Sequence, residues 1–212
     1  MSEADWLGTT GPDPMLAFVG RAASGRKLRL LAAACCREVW DRIPDERSRR
    51  AVEVAEAYAD GLADEAEAEA AAGPAWEVGD EVRESGGDDG PGGAADLADA
   101  AAFAVTADER VTRATDLATD PGDQGRWLTA VLLRDLFGNP FRPAAADPSW
   151  LSAEVVSLAD SIYVGRRFDR LPRLGDALQE AGCDRADILA HCQSGGPHAR
   201  GCWVLDMALG KE

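Results

Sequence analysis

A chain of 212 residues is long enough to bury one full hydrophobic core and sits near the upper end of the usual single-domain range. Its hydrophobic fraction of 46% leans on alanine, and aromatics make up only 6%, a balance that favours helices and leaves strand-forming runs scarce. The formal net charge of -16 repels phosphate backbones and anionic lipid, so neither a nucleic-acid nor a membrane partner is expected.

The amino-terminal MSEADWLG has acids where a secretory signal needs basic residues and then an apolar run. No stretch approaches the roughly 18 consecutive apolar residues of a membrane span. With five cysteines lacking the regular spacing of a disulfide framework, the expected location is a reducing cytoplasm.

Asp13 and Pro14 read as the cap and first-turn proline of a short helix through Met15, Leu16, Phe18 and Val19. Ser24 caps a second helix, running to about Ile43 before Pro44 stops it, with Leu28, Leu31, Ala32, Cys35, Val39 and Ile43 on its apolar stripe. Asp45 caps a third, DERSRRAVEVAEAYADGL, whose inward face collects Val52, Ala55, Tyr58, Ala59 and Leu62. The short loop at Pro44 predicts an antiparallel pair.

The middle of the chain carries the charge excess: Ala51–Gly125 holds 3 basic against 20 acidic residues, whereas Met1–Arg50 has 9 and 7 and Arg126–Glu212 has 10 and 11. From Glu65 the pattern degrades to alanine, glycine and acid with little to bury, which reads as a solvated loop, with SGGDDGPGG at 85–93 as its disordered part. One domain is expected, with amino-terminal helices in 1–64, an acidic Ala/Gly-rich loop or insertion at 65–95 and carboxyl-terminal helices in 96–212.

Order returns with one weakly amphipathic helix over Asp96–Leu117, then a stronger one over Asp123–Phe137 carrying Trp127, Val131, Leu132 and Leu136 and ended by Gly138. Ser152 caps a helix through Val155, Ala159, Ile162 and Tyr163, and Pro172 begins another that finishes at Gly182. Helices over Asp184 to about Cys192 and Pro197–Leu209 close the chain. The fold class is all-α, a compact multi-helix domain of about seven to nine helices with antiparallel pairs and an acidic flexible insertion.

Five segments carry a resemblance: Ser24–Trp40, DERSRRAVEVAEAYADG, LLRDLFGNPFRP, FDRLPRLGDALQEAGC and ADILAHCQSGGPHARGCWVLDMALGKE. Together they resemble an expanded family of uncharacterised planctomycete proteins that open with a Trp-containing segment and close with a similar HC, GPH and GCW tail. The resemblance covers about two-thirds of the chain, missing the acidic middle, and it departs at Ala33, where the family carries a further cysteine. It implies an all-helical cytoplasmic protein and attaches no reaction to it.

Cys183, His191, Cys192, His198 and Cys202 fall within twenty residues, and thiolates with imidazoles are the usual zinc ligands. The expected quartet is Cys183, Cys192, His198 and Cys202, with His198 and Cys202 four apart on one helix face. Packing also accounts for much of it: Cys183 follows a glycine cap, and Cys192 shares the face of Ile188 and Leu189. Helix polarity would push His198, in a first turn, toward neutral, and His191, in a last turn, toward charged.

The adjacent Cys35 and Cys36 point about 100° apart on a helix and form a disulfide poorly, which leaves a thiol-dependent redox role as a minor alternative. GRAASGRK at Gly20–Lys27 resembles a phosphate-binding loop but has Arg26 in place of the required lysine, and it follows a helix, so nucleotide binding there is rejected. Arg47, Arg49 and Arg50 are expected to pair with Glu46 and Glu53. Trp6 and Trp76, in poorly patterned sequence, are candidate anchors for a partner. No convergent acid, base and nucleophile can be read, so the chain is expected to be a non-enzymatic helical module with an unknown protein partner; the alternative is a zinc-binding protein acting through the carboxyl-terminal cluster.

Overall fold

In the computed structural model, which describes residues 1–20, 22–86, 92–106, 111–118 and 122–211, the described residues form helices and loops and no strand. Twelve α-helices follow in order: α1 Glu3–Gly8, α2 Asp13–Val19, α3 Gly25–Glu38, α4 Glu46–Ala59, α5 Glu65–Glu84, α6 Ala94–Val105, α7 Val111–Ala118, α8 Asp123–Phe137, α9 Ala153–Gly165, α10 Leu171–Glu180, α11 Ala186–Cys192 and α12 Trp203–Leu209. That exceeds the expected seven to nine. Six- and seven-residue helices show too little periodicity to be counted from sequence, and one expected helix is two. The chain divides into two compact units, Met1 with Gly8–Leu133, and Ser2–Leu7 with Arg134–Glu212.

In the first unit, α3 packs against α4, α6 and α7. Ser24 caps α3 by accepting from the Lys27 amide, and Asp45 caps α4 by accepting from the Arg47 amide. Leu30, Leu31, Cys35 and Cys36 are buried along α3. This helix ends at Glu38, and a 3-10 turn over Trp40–Arg42 completes the approach to Pro44. Leu62, expected to face inward, lies beyond the end of α4 and is exposed. The arginines pair largely as expected, Arg49 with Glu46 at 3.3 Å and Arg50 with Glu53 at 3.8 Å, while Arg47 reaches Glu81 of α5 at 2.6 Å.

The segment that reads as a solvated loop is in large part the longest helix. α5 begins with a reciprocal capping box, in which the Asp64 carboxylate accepts from the Glu67 amide at 2.9 Å and the Glu67 carboxylate accepts from the Asp64 amide at 3.0 Å. Its buried face is Ala68, Ala71, Ala72, Ala75, Val78 and Gly79. Small side chains carry a weak hydrophobic signal, yet they let two helix backbones come close. A Cβ at Gly79 would collide with the Asp99 carboxylate and stand 3.4 Å from the Ala95 carbonyl of α6. Of the stretch expected to be disordered, 87–91 lies outside the described residues.

The single helix expected over Asp96–Leu117 is α6 and α7. At the end of α6 the Thr106 hydroxyl turns back to donate to the Ala102 carbonyl at 3.3 Å. Trp76 packs edge-on against Phe103, with ring centroids 4.6 Å apart, which accounts for it within the fold. Trp127, expected on the buried face of α8, is 47% exposed.

The second unit is built on Val155, Ile162 and Tyr163 of α9, Leu171, Leu174 and Leu178 of α10, Ile188 of α11 and Val204 and Leu205 of α12. α10 packs against α9 and α11, and α12 against α9. Ser152 caps α9 through the Val155 amide. Trp6 is fully buried here: its indole donates to the Gly138 carbonyl at 2.8 Å, and its own carbonyl accepts from Arg134 Nε at 2.9 Å. It is a core residue of this unit rather than an exposed anchor. Among the described residues no helix is long and apolar enough to cross a membrane.

Candidate metal centre

The carboxyl-terminal cluster converges, but with a different membership from the expected quartet. Asp135, His191, His198 and Cys202 each present one ligand atom, and the four atoms lie within 4.8 Å of one another. Asp135 stands in the last turn of α8, His191 in the last turn of α11 and Cys202 immediately before α12. His198 lies in the connection between α11 and α12. The helix expected to start at Pro197 starts at Trp203, so His198 and Cys202 come together through a loop and not along a helix face.

Cys183 and Cys192, the other two expected ligands, are core residues. Cys183 follows Gly182, which takes a positive φ of 95°, and its amide donates to the Leu178 carbonyl at 2.9 Å, the glycine-capped ending that its position suggests. Cys192 is fully buried, and a Cβ at Gly175 of α10 would stand 2.8 Å from its own Cβ. All five cysteines are free and buried. Burial raises the thiols of Cys35 and Cys36, Cys35 to about 12, so neither has thiolate character and the redox reading has no support.

Asp135 is the hub. One carboxylate oxygen faces His198 Nδ1 at 2.6 Å and His191 Nε2 at 3.2 Å, and the other accepts from the Ala199 amide at 2.9 Å. His191 Nε2 also stands 3.1 Å from Cys202 Sγ. The inward-facing set is therefore one oxygen, two imidazole nitrogens and one sulfur. Ligands held tetrahedrally about 2.0–2.3 Å from a zinc ion lie roughly 3.3–3.7 Å from each other. The spacings of His191 to Asp135 and Cys202 approach that edge; the His198 to Asp135 contact is shorter because it is a hydrogen bond.

Electrostatics explains what an ion must displace. Burial alone would lower the His198 pKa, but the hydrogen bond and charge of Asp135, aided by the Ser194 carbonyl, raise it above the ordinary value. Its Nε2 lies 3.3 Å from that carbonyl, so acceptors face both ring nitrogens and favour an imidazolium. This reverses the neutral tendency expected from a helix first turn, because no helix is there. Burial works to raise Asp135, yet its hydrogen bonds and ion pairs with His191 and His198 hold it below its usual range. Burial and the adjacent Asp135 charge push the Cys202 thiol well up. A divalent cation would take the places of the His198 Nδ1 and Cys202 protons.

The surroundings fix these groups. The Ser194 carbonyl beside His198 Nε2 is the outer partner that a ligating histidine requires, and the Ala199 amide orients Asp135. Just past Asp135, Gly138 ends α8 with a φ of 60°, and a Cβ there would come within 3.0 Å of the Trp203 ring. Gly138→Ala is expected to lower the unfolding free energy by about 2 kcal/mol through the left-handed backbone and the displaced indole. Gly196→Ala, which meets open space, is expected to leave a denaturant midpoint unchanged.

Asp135 is absent from the cluster expected from sequence, and His191 stands in that cluster but outside its expected quartet. The available signal was an acid on the apolar side of a helix, beside Leu132 and Leu136, where an unpaired carboxylate is rarely tolerated. No protein-family model matches the chain, and no curated protein or solved structure matches it.

Proposed function

We propose that this chain is a metal-binding protein whose centre is Asp135, His191, His198 and Cys202, with zinc as the ion that best suits the ligands. The observation that carries this reading is the convergence of one oxygen, two nitrogens and one sulfur, from the last turns of α8 and α11 and from the connection into α12, within 4.8 Å. Mixed imidazole, thiolate and carboxylate ligation suits a borderline-soft divalent ion, and four side chains close a tetrahedron in the manner of a structural site. This places the zinc-binding alternative above the non-enzymatic interaction module and well above thiol redox chemistry.

A second reading has its own observation. The 2.6 Å contact between His198 and Asp135 makes the same cluster a buried proton-filled ion pair that holds α8 against the connection before α12. The two readings separate by elemental analysis of protein purified without a histidine tag. The metal reading expects about one equivalent of zinc, lost in Cys202→Ser and His191→Ala and retained in Cys183→Ala and Cys192→Ala. Well under one equivalent in the wild-type protein, before and after incubation with zinc, leaves the ion-pair reading standing.

A further inference from the structure

His191 is the most exposed of the four centre residues, with 16% of its side chain accessible against 6% for His198 and 2% for Asp135. It faces a cleft of about 300 Å3 in the second unit, which Arg134, Arg142, Asn139 and Asp187 also line. Leu7, Phe137 and Trp203 give the cleft apolar walls. This volume is at the small end of ligand pockets.

Its charge has a definite sign. Asp187 is the one carboxylate on the lining, and Arg185 holds it through two bonds of 2.9 and 2.5 Å. Arg134 is oriented by the bond from its Nε to the Trp6 carbonyl at 2.9 Å. Glu3 takes Arg142 Nε at 2.9 Å, and the Arg142 side chain is 74% exposed. Two guanidinium groups and an imidazole thus face a space with apolar walls, in a chain whose net charge of -16 otherwise repels anions.

We infer that this cleft binds a small organic acid, its carboxylate held by Arg134 and Arg142 and its apolar body against Trp203, Phe137 and Leu7. The planar fork of a guanidinium matches a carboxylate in two parallel hydrogen bonds, which orients the ligand as well as attracting it. The aromatic and aliphatic walls favour an acid with a hydrocarbon body over a bare inorganic anion, which would leave them wet. The site stands on the cleft's own residues and does not require an ion at the neighbouring centre.

The test is a titration with benzoate followed by the NMR shift of the Trp203 indole, assigned with Trp203→Phe. Saturable binding with a dissociation constant on the order of millimolar or tighter is expected. Benzamide, the neutral isostere, and inorganic phosphate should each bind at least about tenfold more weakly. Arg142→Gln, a mostly exposed position whose change spares the fold, should weaken benzoate about fivefold or more, and Arg134→Met further still.

Benzamide or phosphate binding as tightly as benzoate overturns the inference, as does unchanged benzoate affinity in Arg142→Gln and in folded Arg134→Met. So does the absence of any shift, or loss of benzoate binding on chelation while the helical circular dichroism persists, which would make a metal the receptor. Stoichiometric zinc without a benzoate response sinks this inference alone, and a benzoate response in a protein that takes up well under one equivalent even after incubation with zinc sinks the metal reading alone.

Discussion

Asp135→Ala should destabilise the second unit by about 3–5 kcal/mol and abolish metal binding, the largest single effect expected from a point substitution in this chain. The carboxylate is 2% exposed and serves the Ala199 amide, His198 and His191 together. Removing it strands a buried donor and a buried cation without the partner that both share. Asp135→Asn keeps an acceptor for the Ala199 amide and should cost less in folding while still losing most of the metal affinity. Denaturant unfolding of both variants, with zinc stoichiometry measured on each, checks the pair; wild-type stability in Asp135→Ala would show that the network contributes little.

The same pair gives the metal-free protein a defined pH response. His198 has a raised pKa in the folded state, so its contribution is complete below the unfolded value of about 6.5 and is lost as pH rises through the folded value. Asp135 has a lowered pKa, so its contribution is present above the unfolded value of about 3.9 and is lost as pH falls through the folded one. The stability difference between wild type and Asp135→Ala should therefore be greatest between about pH 4 and 6.5 and narrow on either side. A difference that grows steadily up to pH 9 contradicts the assignment of an imidazolium at His198.

Metal addition is the second large effect. An ion present at a thousand times its dissociation constant stabilises the folded state by about 4 kcal/mol. In a chain of this length that corresponds to a rise of roughly 8–16 °C in melting temperature. Chelation should reverse it. Cys202→Ser should show little of the rise, and Cys183→Ala should show all of it from a lower starting point, because Cys183 only packs. Melting curves that do not move with zinc, or that move equally in both variants, contradict the centre proposed. Because binding displaces the His198 Nδ1 and Cys202 protons, the rise should shrink as pH falls below neutral.

Much of the architecture is legible in the chain because it is set by neighbours in sequence. Ser24, Asp45 and Ser152 cap their helices through amides two or three residues on, and Gly138 and Gly182 end theirs with a positive φ. These are local free energies, available to any reading of a dozen residues. The all-α class and the packing of Cys183 and Cys192 follow from the same patterns. α5 escaped because its buried face is alanine, so the gain on burial comes from close helix approach and not from a visible apolar stripe. Its capping box, Asp64 with Glu67, was present in the sequence as the remaining sign.

Local patterns in the chain make it helical and gather cysteines and histidines near its end. Which of them meet is set by long-range packing. Asp135 is 56 residues before His191 and 67 before Cys202 in the chain, and no local pattern links them. They are brought together because the end of α8, the end of α11 and the start of α12 meet in one unit, where a buried carboxylate must find a partner or forfeit its charge. Spacing selected Cys183 and Cys192 as ligands; the core took them, since cysteine packs as a small hydrophobe and both side chains are buried in the second unit.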